Sequence, residues 1–271
     1  MTALQAIALA VVQGITEFFP ISSSAHLILM PRLMRWQDQG LPFDIATHCG
    51  TLLAILIYFR ADLVRVGRGW IASLGAPAPG DAETGRLGWA LLLGTVPAAI
   101  AGLALRDLIA TEARNPLLIA CTSIGYGLLM GWADRGGSRR RALESVGLQD
   151  GLIIGLAQAL ALVPGTSRSG ITITAALLLG FQRPAAARFS FLLAVPVSLL
   201  VAADDALQFW MGRISASELV PMALGLLVSA LVGYLVIAAL LGWLRRRSLL
   251  VFTLYRVGLG LAIFTTLWLG G

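Results

Sequence analysis

The first polar pair of interest lies inside the apolar segment that begins the chain. Gln13 and Glu17 are four residues apart, so a helix carries both side chains on one face. A carboxylate in apolar sequence is costly within a bilayer and usually faces a cavity or a partner. Glu17 can serve packing, transfer protons or ligate a metal. Because Mg²⁺ and Ca²⁺ prefer carboxylate and amide oxygens, Gln13 and Glu17 are the candidate ligands of a divalent cation.

Three consecutive serines follow Pro20, which ends this helix. Serine is a common N-cap, but the free N–H groups and the dipole of a helix N-terminus also bind anions such as phosphate. Three serines in apolar sequence exceed what a cap requires, so we expect Ser22, Ser23 and Ser24 to contact substrate. Ser23 is also a candidate nucleophile if a base lies beside it.

The two histidines receive different interpretations. His26 follows the serines within one turn and is expected to share their tip with Ser23 and Glu17. Its imidazole can act as a general base or as the acid that protonates a leaving group. His48 lies in an apolar segment and is interpreted as a core residue with satisfied hydrogen bonds.

A second polar break, at residues 164–170, contains an arginine between two serines. The Arg168 guanidinium matches two phosphate oxygens at once and keeps its charge. A buried arginine needs an anion, so we expect it to meet Glu17 or a bound phosphate. The neighbouring residues expected to bind substrate are Gly165, Thr166, Ser167 and Ser169. Arg256 lies near the basic start of the last apolar segment and is expected to extend toward the membrane surface.

These polar residues are embedded in a chain with the composition of a membrane protein. Hydrophobic residues make up 58% of its 271 residues, and the mean hydropathy is +0.84. Soluble domains are about 45–50% apolar. No stretch resembles a separate soluble domain, so residues 1–271 are predicted to form one membrane domain. The formal charge of +6 indicates anionic lipids or an anionic substrate as partners, and no nucleic-acid partner is expected.

Six apolar segments approach the length of about 20 residues that a membrane-spanning helix needs. They cover residues 43–59, 89–105, 117–133, 189–206, 219–244 and 249–269. Two further segments, 2–34 and 149–182, are interrupted by the polar breaks, and their halves are too short to cross. Irregular backbone at membrane depth must be buried in protein or line a wet cavity. We therefore predict an all-α integral membrane protein with six transmembrane helices and two re-entrant helical hairpins.

The order of these elements predicts an inverted-topology repeat. Each hairpin precedes three spans, and because three is odd, the second half (about 149–271) is inverted relative to the first (about 1–134). Alignment of Pro20 with Pro164 places Ser23 over Ser167, and the two tips are expected to share one cavity. Most arginines then fall on one side, which the positive-inside rule makes cytoplasmic. The other side holds both termini and Arg32, Arg35, Arg106, Arg114 and Arg213.

Both breaks resemble signatures of the bacterial undecaprenyl-diphosphate phosphatases, also called bacitracin-resistance phosphatases. QGITEFFPISSSAH at residues 13–26 is similar to the first signature, with Gln13 and Glu17 matching its [EQ]xxxE pattern. LALVPGTSRSG at residues 160–170 is similar to the second, and FDIATHCGTLLAIL at residues 43–56 resembles the family too. The resemblance covers essentially the whole chain. Some members carry Glu where this chain has Gln13, which would be a weaker, neutral metal ligand.

The resemblance implies hydrolysis of undecaprenyl diphosphate to undecaprenyl phosphate, which recycles the lipid carrier of cell-wall synthesis. It implies a divalent-metal-dependent, multi-pass enzyme of the bacterial inner membrane that acts on a polyprenyl diphosphate. The site would face the periplasm, and the protein would be able to form homodimers. By match to the signatures, Glu17, Ser23, His26 and Arg168 carry catalytic roles.

Alternatives remain for both mechanism and function. Ser23 can attack the terminal phosphorus, or a metal-bound water can attack while Ser23 only binds phosphate oxygens. A transporter or flippase of polyprenyl phosphate would use the same inverted repeat and broken helices. Lipid phosphatases that form a phosphohistidine are disfavoured, because they need a later histidine and none follows His48.

Overall fold

The computed structural model describes residues 1–75, 81–105, 115–211 and 216–269, and for 204–211 and 216–217 it describes the backbone alone. These residues form eleven α-helices, two short 3-10 helices and one isolated bridge, with no strand among them. The predicted all-α class is confirmed. Arg106, Arg114 and Arg213, which the predicted topology places on the side of the termini, lie outside the described residues.

Six of the described helices are long and apolar enough to cross a membrane, as predicted. Numbered in chain order, they are α3 (Leu41–Tyr58), α5 (Asp81–Ala104), α6 (Pro116–Gly136), α9 (Arg183–Met211), α10 (Ala216–Leu244) and α11 (Leu250–Leu269). α5 begins earlier than predicted because its first turn carries Asp81 and Glu83, and acidic side chains stabilise a helix N-terminus.

Four shorter helices flank the polar breaks. The first break lies between α1 (Ala3–Thr16) and α2 (Ser23–Met34), and the second between α7 (Leu148–Ala159) and α8 (Arg168–Leu178). They contain 14, 12, 12 and 11 residues. At about 1.5 Å per residue they are about 16–21 Å long, shorter than the ~30 Å of membrane hydrocarbon. The predicted interruption of both segments is confirmed.

Each broken helix packs against a spanning helix from the other half of the chain. α1 lies against α10, and α7 lies against α5. The α7–α5 pair is very close, because a Cβ on Gly155 would lie 2.3 Å from the Gly94 carbonyl oxygen. α3 also packs closely on α10, where a Cβ on Gly50 would lie 2.1 Å from Ser229 Oγ. Because helices of each half pack against helices of the other half, the two breaks lie close together.

One helix was not predicted. α4 (Arg60–Ala72) follows α3 directly and packs along α5, with Trp70 against Trp89 at a ring-centroid distance of 5.7 Å. Three arginines lower the hydropathy of this segment, so it does not stand out among the apolar blocks. Its burial against α5 supplies the stability that its composition does not reveal.

Candidate active site

Both polar breaks open into one cavity of about 630 Å³. The first break contributes Glu17 and all three serines that follow Pro20, and the second contributes Ser167 and Arg168. The expectation that the tips share a cavity lined by Glu17 is thus confirmed. The rest of the lining is largely apolar and comes from α3, α5, α7 and α9.

Glu17 is the centre of the polar cluster. Its Oε1 accepts a hydrogen bond of 3.0 Å from Arg168 Nη2 in an ion pair whose side chains are 12% and 15% exposed. Its Oε2 accepts one of 2.7 Å from Ser23 Oγ and one of 3.2 Å from Gln13 Nε2. The carboxylate therefore joins the two breaks and holds the Ser23 hydroxyl at the same time.

The residues before α2 and α8 share an unusual backbone conformation. Ser22 has φ 77° and ψ 102°, and Ser167 has φ 70° and ψ 113°, in a region that non-glycine residues rarely adopt. Each shares a hydroxyl hydrogen bond with the serine two positions later, at 3.1 Å for Ser24 and 3.3 Å for Ser169. Such strain persists only where the surroundings enforce it, and it is common at functional sites.

This match corrects the predicted alignment by one residue. Ser22, not Ser23, corresponds to Ser167, because these two serines are the N-caps of α2 and α8. The N-cap follows Pro20 by two positions in the first break and Pro164 by three in the second. Ser23 therefore corresponds to Arg168. Both are the first residue of a helix, and both bond to Glu17.

His26 does not line the cavity, although the sequence places it within a turn of Ser23. Its Nδ1 lies 2.7 Å from the Ser22 carbonyl oxygen, and its Nε2 lies 2.5 Å from Tyr255 Oη. Because a carbonyl only accepts, Nδ1 carries the proton and Nε2 accepts from the tyrosine. The ring also stacks on Tyr255, with centroids 5.7 Å apart, so it faces α11.

His48 lines the cavity beside Glu17, and its interpretation as a core residue is wrong. Its Nδ1 donates to the Asp44 carbonyl oxygen at 2.8 Å, so this contact occupies one of the two ring nitrogens. Gln158 of α7 also lines the cavity, and its buried Oε1 has no hydrogen-bond partner among the described residues. Nothing local in the sequence distinguishes these two side chains, because the rotation of α3 and α7 decides what they face.

Three residues predicted to bind substrate do not line the cavity, and their contacts hold the two breaks in place. Ser169 Oγ donates to the Phe19 carbonyl oxygen at 3.2 Å, across the two breaks. Gly165 and Thr166 lie outside the cavity lining, and their carbonyl oxygens accept hydrogen bonds from Arg256 at 2.9 and 2.8 Å. Ser22, Ser24 and Ser167 do line the cavity.

Arg256 is buried, with 1% exposure, so the expectation that it extends toward the membrane surface is wrong. Besides the two carbonyls of the second break, its guanidinium bonds to the Pro20 carbonyl at 3.3 Å and to Thr122 and Ser123 of α6 at 3.3 and 3.2 Å. α6 leaves room for it at Gly127, where a Cβ would lie 2.9 Å from Arg256 Cβ. Arg256 therefore clamps both breaks from behind the cavity.

The polar groups around Glu17 fit a divalent cation only in part. Among the described residues, no group of three or more His, Cys, Asp and Glu side chains is placed to hold a metal ion. Gln13 Oε1 is buried without a partner, so it is one available oxygen. A Mg²⁺ ion commonly keeps several waters and is held by one or two carboxylates together with substrate phosphates. Gln13 and Glu17 are therefore the residues that would hold such an ion, and among the described residues they are too few to enclose it.

The fold and the cavity define a polytopic helical membrane protein with a serine, a carboxylate and an arginine gathered between two broken helices. The chain belongs to the family described as Bacitracin resistance protein BacA, whose model matches residues 6–262. Three relatives are each 48% identical to it. "Undecaprenyl-diphosphatase" of Magnetococcus marinus aligns over 98% of this chain and 100% of its own. The same-named protein of Nitrosococcus oceani aligns over 97% and 98%, and "Undecaprenyl-diphosphatase 2" of Stutzerimonas stutzeri over 100% of both chains.

Proposed function

We propose that this protein hydrolyses undecaprenyl diphosphate to undecaprenyl phosphate and inorganic phosphate, and so recycles the lipid carrier of cell-wall synthesis. The observation that carries the proposal is the contact of Ser23 and Arg168 with one carboxylate, Glu17, inside a shared cavity. A nucleophile, a base and a phosphate-binding cation are the groups that hydrolysis of a phosphoanhydride needs. Full-length relatives named undecaprenyl-diphosphatase support the same activity.

The two ends of the cavity suit the two ends of such a substrate. Its polar end holds Glu17, Ser23 and Arg168, while the remaining lining includes the apolar side chains Leu52, Ile55, Leu103, Leu162, Val197, Leu200 and Val201. A diphosphate needs charge neutralisation and hydrogen-bond donors, whereas an isoprenoid chain needs apolar contact.

In the proposed reaction, Ser23 Oγ attacks the terminal phosphorus and transfers its proton to Glu17 Oε2, which already accepts its hydrogen bond. The bond from that phosphorus to the bridging oxygen breaks, and undecaprenyl phosphate leaves. Glu17 passes this proton to the departing undecaprenyl phosphate and so returns to a carboxylate. A water then attacks the phosphoserine and gives a proton to Glu17, which passes it to the Ser23 oxygen as the phosphorus–Oγ bond breaks and phosphate departs. Glu17 fits the base role better than His26, whose ring nitrogens both bond elsewhere.

Arg168 is proposed to move part of its charge from Glu17 to the phosphate. Its Nη2 bonds to the carboxylate, but its Nη1 is buried without a partner among the described residues. A phosphate oxygen would satisfy this donor. Nη1 and the second hydrogen of Nη2 would then be the two donors that stabilise the charge on the transferring phosphoryl group.

A divalent cation is proposed to accompany the diphosphate, with Glu17 and the unpartnered Gln13 Oε1 as its protein ligands. Such an ion would neutralise phosphate charge and polarise the terminal phosphorus. Because Gln13 is neutral and Glu17 is already paired with Arg168, the protein alone is expected to hold the ion weakly.

The proposed membrane arrangement has two re-entrant hairpins, α1–α2 and α7–α8, within an inverted repeat. Their helices are too short to cross, and their caps share one backbone conformation. The exchanged packing of α1 on α10 and α7 on α5 is what a two-fold relation between the halves predicts. With the arginine-rich face in the cytoplasm, both termini lie in the periplasm. In this arrangement the cavity opens to the periplasmic side of the inner membrane.

The rival function is a transporter or flippase of polyprenyl phosphate, which would share this architecture without chemistry. An assay of the purified protein in detergent distinguishes hydrolysis from transport, because a detergent micelle has no two sides between which a lipid could be moved. We expect equimolar release of undecaprenyl phosphate and inorganic phosphate from undecaprenyl diphosphate. Arg168→Ala, purified identically, controls for contaminating phosphatases. If both proteins release phosphate equally, or neither does, the hydrolase assignment fails.

A further inference from the structure

A second pocket, of about 230 Å³, lies where α6 ends and α11 begins. We call it the arginine pocket. It is lined by Gly131, Asp134, Arg135, Arg139, Arg183, Ser248 and Leu250. It shares no lining residue with the catalytic cavity, and the proposed reaction makes no use of it.

The arginine pocket carries an excess of positive charge. Asp134 is 2% exposed, and both of its oxygens bond to Arg183, while Oδ2 also accepts the Leu249 N–H at 2.9 Å. Arg135 and Arg139 make no ion pair with any residue in the described part of the chain. Three arginines less one aspartate leave a formal charge of +2 around the pocket.

Exposed aromatic and apolar side chains place the arginine pocket at a lipid–water boundary. Trp132, which follows a lining residue in α6, is 65% exposed, and Trp243 is 42% exposed. Trp243 Nε1 donates to the carbonyl oxygen of Ser248, a lining residue, at 3.1 Å. The lining residue Leu250 is itself 40% exposed. Tryptophan is enriched at the depth of the headgroups, so the pocket opens where a lipid phosphate lies.

We propose that the arginine pocket binds the headgroup of a lipid phosphomonoester. A phosphomonoester has a second pKa of about 6 and is mainly a dianion at pH 7, whereas a phosphodiester carries a single charge. The dianion matches the charge of +2, and its three terminal oxygens suit guanidinium forks. The binding does not depend on the catalytic role of the other cavity, although the proposed product belongs to the same lipid class. Arginines placed only by the positive-inside rule would not discriminate between monoester and diester.

The test uses the full-length protein, purified in a neutral detergent. Its thermal unfolding is followed while phosphatidic acid, phosphatidylglycerol, phosphatidylcholine or inorganic phosphate is titrated, because a ligand of the folded state raises the midpoint. The test variant is Arg135→Gln with Arg139→Gln. Its matched control is Arg60→Gln with Arg68→Gln, which removes equal charge from exposed arginines of α4 outside the pocket.

We expect phosphatidic acid to half-saturate at a concentration about tenfold below phosphatidylglycerol, and the test variant to lose about tenfold in affinity for it. The control should change less than about twofold. Native mass spectrometry of bound phosphatidic acid gives a second readout if the variant is less stable. The proposal is overturned if monoester and diester bind alike, or if test and control variants behave alike. It is also overturned if inorganic phosphate alone reproduces the whole shift.

Discussion

Replacement of Arg256 tests whether the two breaks are held together from behind the cavity. Arg256 donates five hydrogen bonds to carbonyl oxygens at 2.8–3.3 Å. Three of these carbonyl oxygens, those of Pro20, Gly165 and Thr166, lie in the breaks. The described residues provide no other hydrogen-bond donor to them. A buried polar group without a partner costs about 1–3 kcal/mol. Arg256→Leu should therefore destabilise the protein by about 3–5 kcal/mol after relaxation.

The assay is thermal unfolding in detergent together with steady-state turnover. A loss of that size lowers the unfolding midpoint by about 10 °C. Arg256→Lys keeps the charge and some of the bonds, so it should lose about half as much stability. It should still lose turnover by about 100-fold with little change in KM, because a small displacement of Ser23 from Glu17 misaligns the attack.

An exposed arginine at the end of α10 gives the control for this prediction. Arg246→Leu removes the same charge without any contact to the breaks. If Arg256→Leu unfolds and turns over like this control, the clamp has no structural role. If Arg256→Lys loses stability but keeps full turnover, the clamp stabilises the fold without positioning the site.

Three further predictions concern single side chains. Arg168→Lys should stay folded but lose most turnover, because lysine keeps the positive charge and loses the bidentate contact with the phosphate. A near-normal kcat would show that the charge alone is enough. Glu17→Gln should lose most turnover, with poor rescue by Mg²⁺ or Ca²⁺, and wild-type activity should fall when EDTA is added. Full wild-type activity in excess EDTA would show that the reaction needs no divalent metal. Burial raises the pKa of Asp150, but hydrogen bonds from Arg141 and the Gly147 N–H, together with the Arg141 charge, outweigh it and lower that pKa. The stability from Asp150 is then present above the unfolded pKa of about 4 and lost as pH falls through the folded pKa. The unfolding midpoint of Asp150→Asn should therefore depend less on pH below about 5 than that of wild type, and parallel curves would contradict this.

The long apolar segments made the six spanning helices predictable, because hydropathy and length alone determine which segments can cross. The contact of Glu17 with Arg168 was also predictable. It followed from two rules, that buried unlike charges pair and that broken helices of inverted repeats meet.

The parts that were not predictable depend on helix rotation and on long-range contacts. His26 and His48 both lie in apolar helices, and only the position of Tyr255 and the close packing of α3 on α10 decide which imidazole faces the cavity. Arg256 has the same hydropathy whether it is buried or extends to the surface. Its burial depends on backbone carbonyls that the breaks expose, and residue types do not reveal these.

The central claim is that Ser23, activated by Glu17, attacks the terminal phosphate. It is tested most directly by turnover and substrate binding of Ser23→Ala, with substrate labelled in the terminal phosphate for trapping in wild type. The account predicts loss of turnover by more than about 1,000-fold with a Kd within about threefold of wild type. Acid quench of the wild-type reaction should leave label on Ser23. If Ser23→Ala keeps about a tenth or more of wild-type turnover, Ser23 only binds phosphate and a water molecule makes the attack.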